Sequence, residues 1–246
     1  MASPLAQFEI KKLIEMEAFG FDLSFTNSSL AMTMTVFFII LFMYIGLRNL
    51  EIIPSKKQSI VESSYEFISG MIGDNIGNEG MKYFSFIFTL FLFILVGNLL
   101  GMLPYSFTWT SHIIVTFAIA FFIFIGVTFI AIYKHGIVKF LNFFAPTGVP
   151  KPMLILLVPI EIISYLSRPI SLSVRLFANM MAGHTLLKVI GGFVFVLGAN
   201  SYIVGGILPL AFLIALTGLE IVIAFLQAYV FAILTCLYIN DAIHLH

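Results

Sequence analysis

The sequence predicts an all-α integral membrane protein with about five membrane-embedded helices, a short surface helix, and a C-terminal hairpin of two long, steeply tilted helices. Three observations carry this expectation. Hydrophobic residues make up 61% of the 246 and charged residues only 10%, whereas a soluble domain carries about 25% charged residues. Several apolar runs reach the roughly 20 residues that cross about 30 Å of hydrocarbon. The last two runs exceed that length and stay rich in apolar residues, with Pro159 and Pro169 in the first and Pro209 in the second.

The elements follow in order. Residues 1–28 form an N-terminal amphipathic segment without the basic-then-apolar order of a cleavable signal. The first transmembrane helix, 29–48, is therefore expected to stay as an anchor. Residues 49–82 turn polar, with Lys56, Lys57, Glu62, Glu66 and Asp74. Within them Ile60, Val61, Tyr65, Ile68, Met71 and Ile72 recur at helical spacing, which predicts a surface helix in a cytoplasmic connection. A transmembrane pair occupies 83–133. The link between its helices, 104–112, has no Lys or Arg and carries Tyr105 and Trp109, as expected at an aromatic membrane interface. A second cytoplasmic connection, 134–152, ends in Gly148, Pro150 and Pro152.

Residues 153–246 form the long hairpin. Its first arm runs from Met153 to about Leu187, followed by Gly191, Gly192, Gly198 and Asn200, and its second arm runs from Tyr202 to about Ile243. Some 35 residues make about 52 Å of helix, so these arms must incline steeply. Pro159, Pro169 and Pro209 are candidate kinks, with Ser164 and Ser167 placed to satisfy freed backbone groups. Basic residues set the orientation. Arg48, Lys56, Lys57, Lys82, Lys134, Lys139 and Lys151 fall on one side, Lys11, Lys12 and Lys188 on the other. This places the N-terminus outside and the C-terminus in the cytoplasm.

Composition also excludes. Twelve basic residues balance twelve acidic ones, so no nucleic-acid footprint exists. A lone cysteine, Cys236, rules out an internal disulfide and a cysteine metal cluster. No phosphate-binding Gly-x-x-x-x-Gly-Lys-Ser/Thr loop occurs, and no repeat recurs at a fixed period. Neither a cofactor, a metal site nor a catalytic residue is expected.

The chemistry concentrates in the hairpin. Arg175 stands inside the first arm, where a permanent charge costs roughly 2.5–3.5 kcal/mol on insertion scales. Such a residue reads as part of an ion pathway. Glu161, Arg168 and Arg175 are seven apart in succession and share a helical stripe, and Asn179 lies one turn beyond Arg175. Glu220 and Gln227 are also seven apart. Folded back about a tip near Asn200, the hairpin brings Arg175 level with Gln227 and His184 level with Glu220. The second layer lies about 12 Å nearer the tip. His184 is nine residues beyond Arg175, about half a revolution around the helix, so the two face different neighbours. His184 and Glu220 can both exchange protons. Arg175 cannot, but it can hold a carboxylate ionised and block a passing cation. Titratable groups beside a fixed charge make a gated proton route.

The stretch Ser171-Leu-Ser-Val-Arg175-Leu-Phe-Ala-Asn179-Met-Met-Ala-Gly183-His184 resembles the signature of subunit a of rotary ATP synthases. Asn98-Leu-Leu-Gly101-Met-Leu-Pro104, Glu161 with Arg168-Pro169, and Glu220 with Gln227-Ala-Tyr support the match. The segment Pro104-Tyr-Ser-Phe-Thr-Trp-Thr resembles the mitochondrial and alphaproteobacterial branch. The resemblance implies a static proton channel in two offset halves beside a ring of small hairpin rotor subunits (the c-ring) bearing an essential carboxylate. A peripheral-stalk membrane subunit and the lipid bilayer are the other implied partners. Arg175 matches the arginine that separates the half-channels, with Asn179 and Gln227 beside it, His184 and Glu220 as the inlet pair, and Glu161 on the outlet side. Asn98, Ser171 and His112 are candidate lining residues. The implied location is the bacterial inner membrane, with the mitochondrial inner membrane as alternative. In one respect the sequence departs: many bacterial members carry the carboxylate where His184 stands and the histidine where Glu220 stands. A His/carboxylate pair favours protons over sodium. The competing readings are a standalone proton-coupled transporter, for which the expected repeats are missing, and a structural anchor, which leaves Arg175 unexplained.

Overall fold

The structure, a computed structural model, describes residues 8–18, 20–22, 24–103, 106–144, 151–200 and 204–244. Tyr105, Gly148, Pro150, Tyr202 and His246 lie outside these residues. Seven α-helices form among the described residues: α1 (Asn27–Leu47), α2 (Lys56–Ile76), α3 (Phe84–Gly101), α4 (Ile113–His135), α5 (Ile137–Phe143), α6 (Lys151–Asn200) and α7 (Val204–Ile243). Five segments are long and apolar enough to cross a membrane: Asn27–Leu47, Asn78–Gly101, Ile113–His135, Met153–Ala199 and Gly205–Ile243. Their outward faces carry Phe37, Ile40, Ile114, Phe122, Phe129 and Ile155, all exposed and suited to lipid. This is the all-α membrane architecture that the composition predicts.

The N-terminal segment, read from the sequence only as amphipathic, contains strands. Four short strands, β1 (Lys12–Ile14), β2 (Glu17–Ala18), β3 (Phe21–Asp22) and β4 (Phe25–Thr26), pair antiparallel as β1–β4 and β2–β3. Gly20 turns the inner pair at φ +78°, a conformation glycine adopts without penalty. Asn27 closes the outer pair, its Nδ2 donating to Glu9 O and its backbone N–H to Lys11 O. An ion pair joins Lys12 to Asp22. Thr26 then caps α1, its hydroxyl accepting from Ser29 N–H.

The predicted surface helix extends over Lys56–Ile76, capped by Ser55 and stopped by Gly77 at φ +77°. It buries Val61, Ile68, Met71, Ile72 and Ile76 against α1, α3 and α7 and exposes Lys56, Lys57 and Glu66. Its apolar stripe therefore docks on protein.

At the centre of the bundle stands α7, which packs on α2, α3, α4 and α6. Ala224, Ala228, Ala232 and Cys236 repeat every four residues along it, and all four are fully buried. In lipid, where oily side chains gain little by leaving the solvent, such small residues let backbones approach and gain dispersion contacts. Ile87, Phe91 and Ile94 of α3 and Ile68 and Ile72 of α2 fill the space around them together with Phe231 and Ile239.

Two expectations are corrected. The first arm does not end near Leu187, since α6 runs unbroken for 50 residues through Gly191, Gly192 and Gly198. Glycine breaks helices in water by exposing backbone to solvent. Within lipid the intrahelical bonds are the only ones on offer, so the helix persists. Near the hairpin tip Gly198 serves packing against Gly206 of α7, where a Cβ would stand 3.1 Å from Val194 O and 3.2 Å from Gly198 Cα. Fifty residues span about 75 Å and the 40 of α7 about 60 Å, so neither helix can stand upright in the bilayer.

The second correction concerns the 104–112 link, which reads as an interfacial loop. Trp109 is only 1% exposed and Thr108, Thr110 and Ser111 are buried. The indole fills a notch left by Gly97, whose missing Cβ would lie 2.4 Å from Trp109 Cζ2. Its ring centroid is 4.7 Å from that of Phe93, and its Nε1–H donates to Thr35 Oγ1 on α1 at 3.2 Å. An indole with its N–H satisfied in this way can be buried at little cost.

Candidate functional site

The hairpin places its polar residues on two different faces. His184 and Glu220 are 6% and 5% exposed, enclosed where α6 meets α7. Their Nδ1 and Oε1 atoms are 3.2 Å apart, but the contact is not aligned as a hydrogen bond, and neither carboxylate oxygen of Glu220 has a hydrogen-bond partner among the described residues. A carboxyl and an imidazole at this distance can pass one proton back and forth. Gly183 makes the contact possible, since a Cβ there would lie 2.7 Å from Glu220 Oε1.

The other imidazole nitrogen is also taken. His184 Nε2 lies 3.0 Å from Thr108 Oγ1, and that hydroxyl is 3.1 Å from Gly101 O. Sequence reasoning missed Thr108, because the link that carries it looked superficial. The available signal was Gly97 and Gly101 on one face of α3, four residues apart, which form a groove for the link. One turn along α7 from Glu220, Asn98 of α3 is fully buried, its Nδ2 donating to Ala224 O at 3.3 Å. Asn98 thus ties α3 to α7 beside the acid.

Arg175 faces the other way. It is exposed on α6 with Ser171, Val174, Ala178, Ala182 and Leu186, a stripe of small and apolar side chains around a single cation. Asn179 is half-buried next to it. The level of Arg175 and Gln227 expected from the hairpin register is not closed by any hydrogen bond among the described residues, and Gln227 is half-buried on α7. Glu161 is half-buried two heptads before Arg175 and forms no ion pair with it. His112 is half-buried at the start of α4, its Nε2 bonded to Phe8 O at 2.9 Å.

One charged contact in the hairpin was not foreseen. Arg168 Nη1 meets Asp241 Oδ2 at 3.0 Å, and its guanidinium lies 5.3 Å and 5.0 Å from the ring centroids of Tyr165 and Tyr238. The pattern was readable as two aromatic–charge pairs, each spaced by three residues on its own helix. The serine pair expected to answer Pro169 does not do so: Ser167 Oγ donates to Ser164 O, one residue short of the carbonyl that proline leaves without its N–H.

The chain is similar to the ATP synthase subunit a of Pelagibacter ubique, with 57% identity over 245 residues, 99% of this chain and 98% of that protein. It is 55% identical to the subunit a of Rhodospirillum rubrum over 246 residues, and 53% identical to that of Paramagnetospirillum magneticum over 249, in each case covering both chains fully. The family model of the ATP synthase A chain matches residues 29–240. With that match spanning all five apolar helices, and with more than half of the residues shared over the full length of these relatives, the chain belongs to the ATP synthase A chain family.

Proposed function

We propose that this chain is the static proton-channel subunit of an ATP synthase. The observation that carries the reading is the division of α6 into two faces. Its inner face carries His184, buried against Glu220 of α7, and its outer face presents Arg175 among small and apolar side chains. Nine residues separate Arg175 from His184, about 13 Å along the axis and half a revolution around it. One half-channel reaches the His184–Glu220 pair, and the other leaves past Glu161 on the opposite side of the arginine. A proton can pass from one to the other only by boarding a carboxylate on a partner that moves across the outer face. Arg175 keeps that carboxylate ionised as it passes and bars a direct leak. Ser171, Ala178, Ala182 and Leu186 form the surface against which the ring of hairpin subunits turns, and a peripheral-stalk membrane subunit holds this chain still. Asn179 and Gln227 orient the arginine from either helix. Asn98 steadies the inlet wall, with His112 nearer its mouth.

The setting is the bacterial inner membrane, with the N-terminus in the periplasm and the C-terminus in the cytoplasm. A proton falling through 100 mV releases about 2.3 kcal/mol, so ATP synthesis needs several protons and a rotor to sum their work. The deciding experiment is Arg175→Ala in membrane vesicles, with coupled ATP synthesis and passive proton leak assayed separately. Synthesis should vanish while the leak rises. Intact synthesis would remove the proposal.

A further inference from the structure

We propose that Thr108 is a positioning residue of this proton path: it holds His184 in the tautomer protonated at Nε2, so that Nδ1 is the nitrogen that trades a proton with Glu220. The argument starts from donor and acceptor capacity. Gly101 O, 3.1 Å from Thr108 Oγ1, can only accept. An imidazole nitrogen can donate or accept, and Thr108 Oγ1 is 3.0 Å from His184 Nε2. Both contacts are satisfied together when the hydroxyl donates to Gly101 and accepts from Nε2–H. The hydroxyl has one proton, and the carbonyl claims it.

The consequence falls on the other edge of the ring. With Nε2–H spent on Thr108, neutral His184 has a bare Nδ1, and the nearest proton source is Glu220, whose Oε1 lies 3.2 Å away and needs only a small turn of the carboxyl to align. A proton on the Glu220 carboxyl can then move to Nδ1, leaving carboxylate and imidazolium, and return by the same line. No other proton is gained or lost, and Nε2–H stays on Thr108 in both states. His184 therefore stores a proton for Glu220 instead of conducting one through its ring from Nε2 to Nδ1.

The fold holds Thr108 firmly enough for this. Trp109, next in the chain, is locked by Thr35, Gly97 and Phe93. Ser111 Oγ donates to Thr108 O at 2.6 Å. Gly101 is bare where Thr108 arrives, since a Cβ there would be 2.7 Å from Oγ1 and 2.6 Å from Cγ2. Thr108 itself is fully buried, so water does not compete for its hydroxyl. Second partners of this kind fix which nitrogen of a histidine does the chemistry.

The inference rests on the proposed function only for its effect on transport, and the test keeps the two apart. In the intact complex labelled with 15N-histidine, His184 signals are identified by their loss in His184→Gln and recorded at alkaline pH, where the ring is neutral. The expected spectrum has a protonated Nε2 and a bare Nδ1. Thr108→Val, which keeps the shape and removes the hydroxyl, should admit the opposite tautomer and slow ATP-driven proton pumping about threefold to tenfold, the worth of one hydrogen bond. Thr108→Ser should restore both. A wild-type ring protonated at Nδ1, or a Thr108→Val spectrum identical to wild type, would overturn the inference. If Thr108→Val fails to assemble, the wild-type and Thr108→Ser spectra decide alone. Normal pumping by His184→Gln would remove the relay reading while leaving the tautomer assignment to stand on its spectrum.

Discussion

Replacing Gly183 by alanine should uncouple proton transfer from folding. The new methyl group would sit 2.7 Å from Glu220 Oε1, 3.2 Å from Cδ and 3.5 Å from Cγ. Ordinary carbon–oxygen contact needs about 3.4 Å or more, so the carboxylate must retreat by several tenths of an ångström. The atom that must move ends a flexible side chain, and a strained rotamer costs about 0.5–1.5 kcal/mol. Against this, alanine in a helix interior is favoured over glycine by about 0.5–1 kcal/mol. The two effects nearly cancel, and the complex should melt within a few degrees of wild type. The retreat carries Oε1 away from His184 Nδ1, which it now approaches to 3.2 Å. Displacements on this scale at reacting atoms cost up to about a hundredfold in rate. ATP-driven acidification of inverted vesicles should therefore fall by at least about tenfold at unchanged assembly. Glu220→Asp, which withdraws the carboxylate from His184 by a whole methylene, should lower pumping at least as far. Pumping within twofold of wild type in Gly183→Ala would refute the argument that this contact limits the inlet.

Exchanging His184 and Glu220 for one another keeps a carboxyl–imidazole pair in the same cavity, so measurable ATP-driven pumping should survive, and total loss would show that the pair is not interchangeable. Arg168→Gln removes an ion pair that is partly exposed and two ring contacts, worth together about 1–2 kcal/mol; thermal melting of the assembled complex should drop accordingly, with Arg168→Lys recovering less than half because ammonium lacks the planar fork. At the N-terminal hairpin, the ammonium of Lys12 and the hydroxyl and N–H of Ser24 draw the Asp22 carboxyl down from 3.8 to about 2. A lowered folded value stabilises above the unfolded one, so the hairpin should keep its protection at neutral pH and lose it as pH falls from about 4 to about 2. Hydrogen exchange of the strand amides would follow that loss, and Asp22→Asn should abolish the pH dependence.

What could be read from sequence, and what could not, divides by range. The five apolar spans are local facts of hydropathy, and all five exist. The His184–Glu220 layer was legible because two antiparallel helices of equal rise preserve register, so one assumed tip fixes many pairings. The Arg175–Gln227 layer followed from the same arithmetic, yet register sets height and not azimuth, and no hydrogen bond joins the two. The burial of Thr108 and Trp109 left only a faint local sign, the Gly97 and Gly101 spacing on α3, because its other half depends on Thr35 of α1, 74 residues from Trp109. Glycine misled at the end of α6, where a signal calibrated on water-exposed helices was applied to one in lipid. The N-terminal strands are only two or three residues long, too short for a two-residue period to declare itself against helix.

The ladder of Ala224, Ala228, Ala232 and Cys236 begins one turn after Glu220. Under the proposed function a neighbour pushes sideways on every step, and the reaction force must land somewhere. On that reading it meets a row of small, fully buried side chains, a joint with little slack to compress. The acid, buried one turn before the ladder, shares that firm footing.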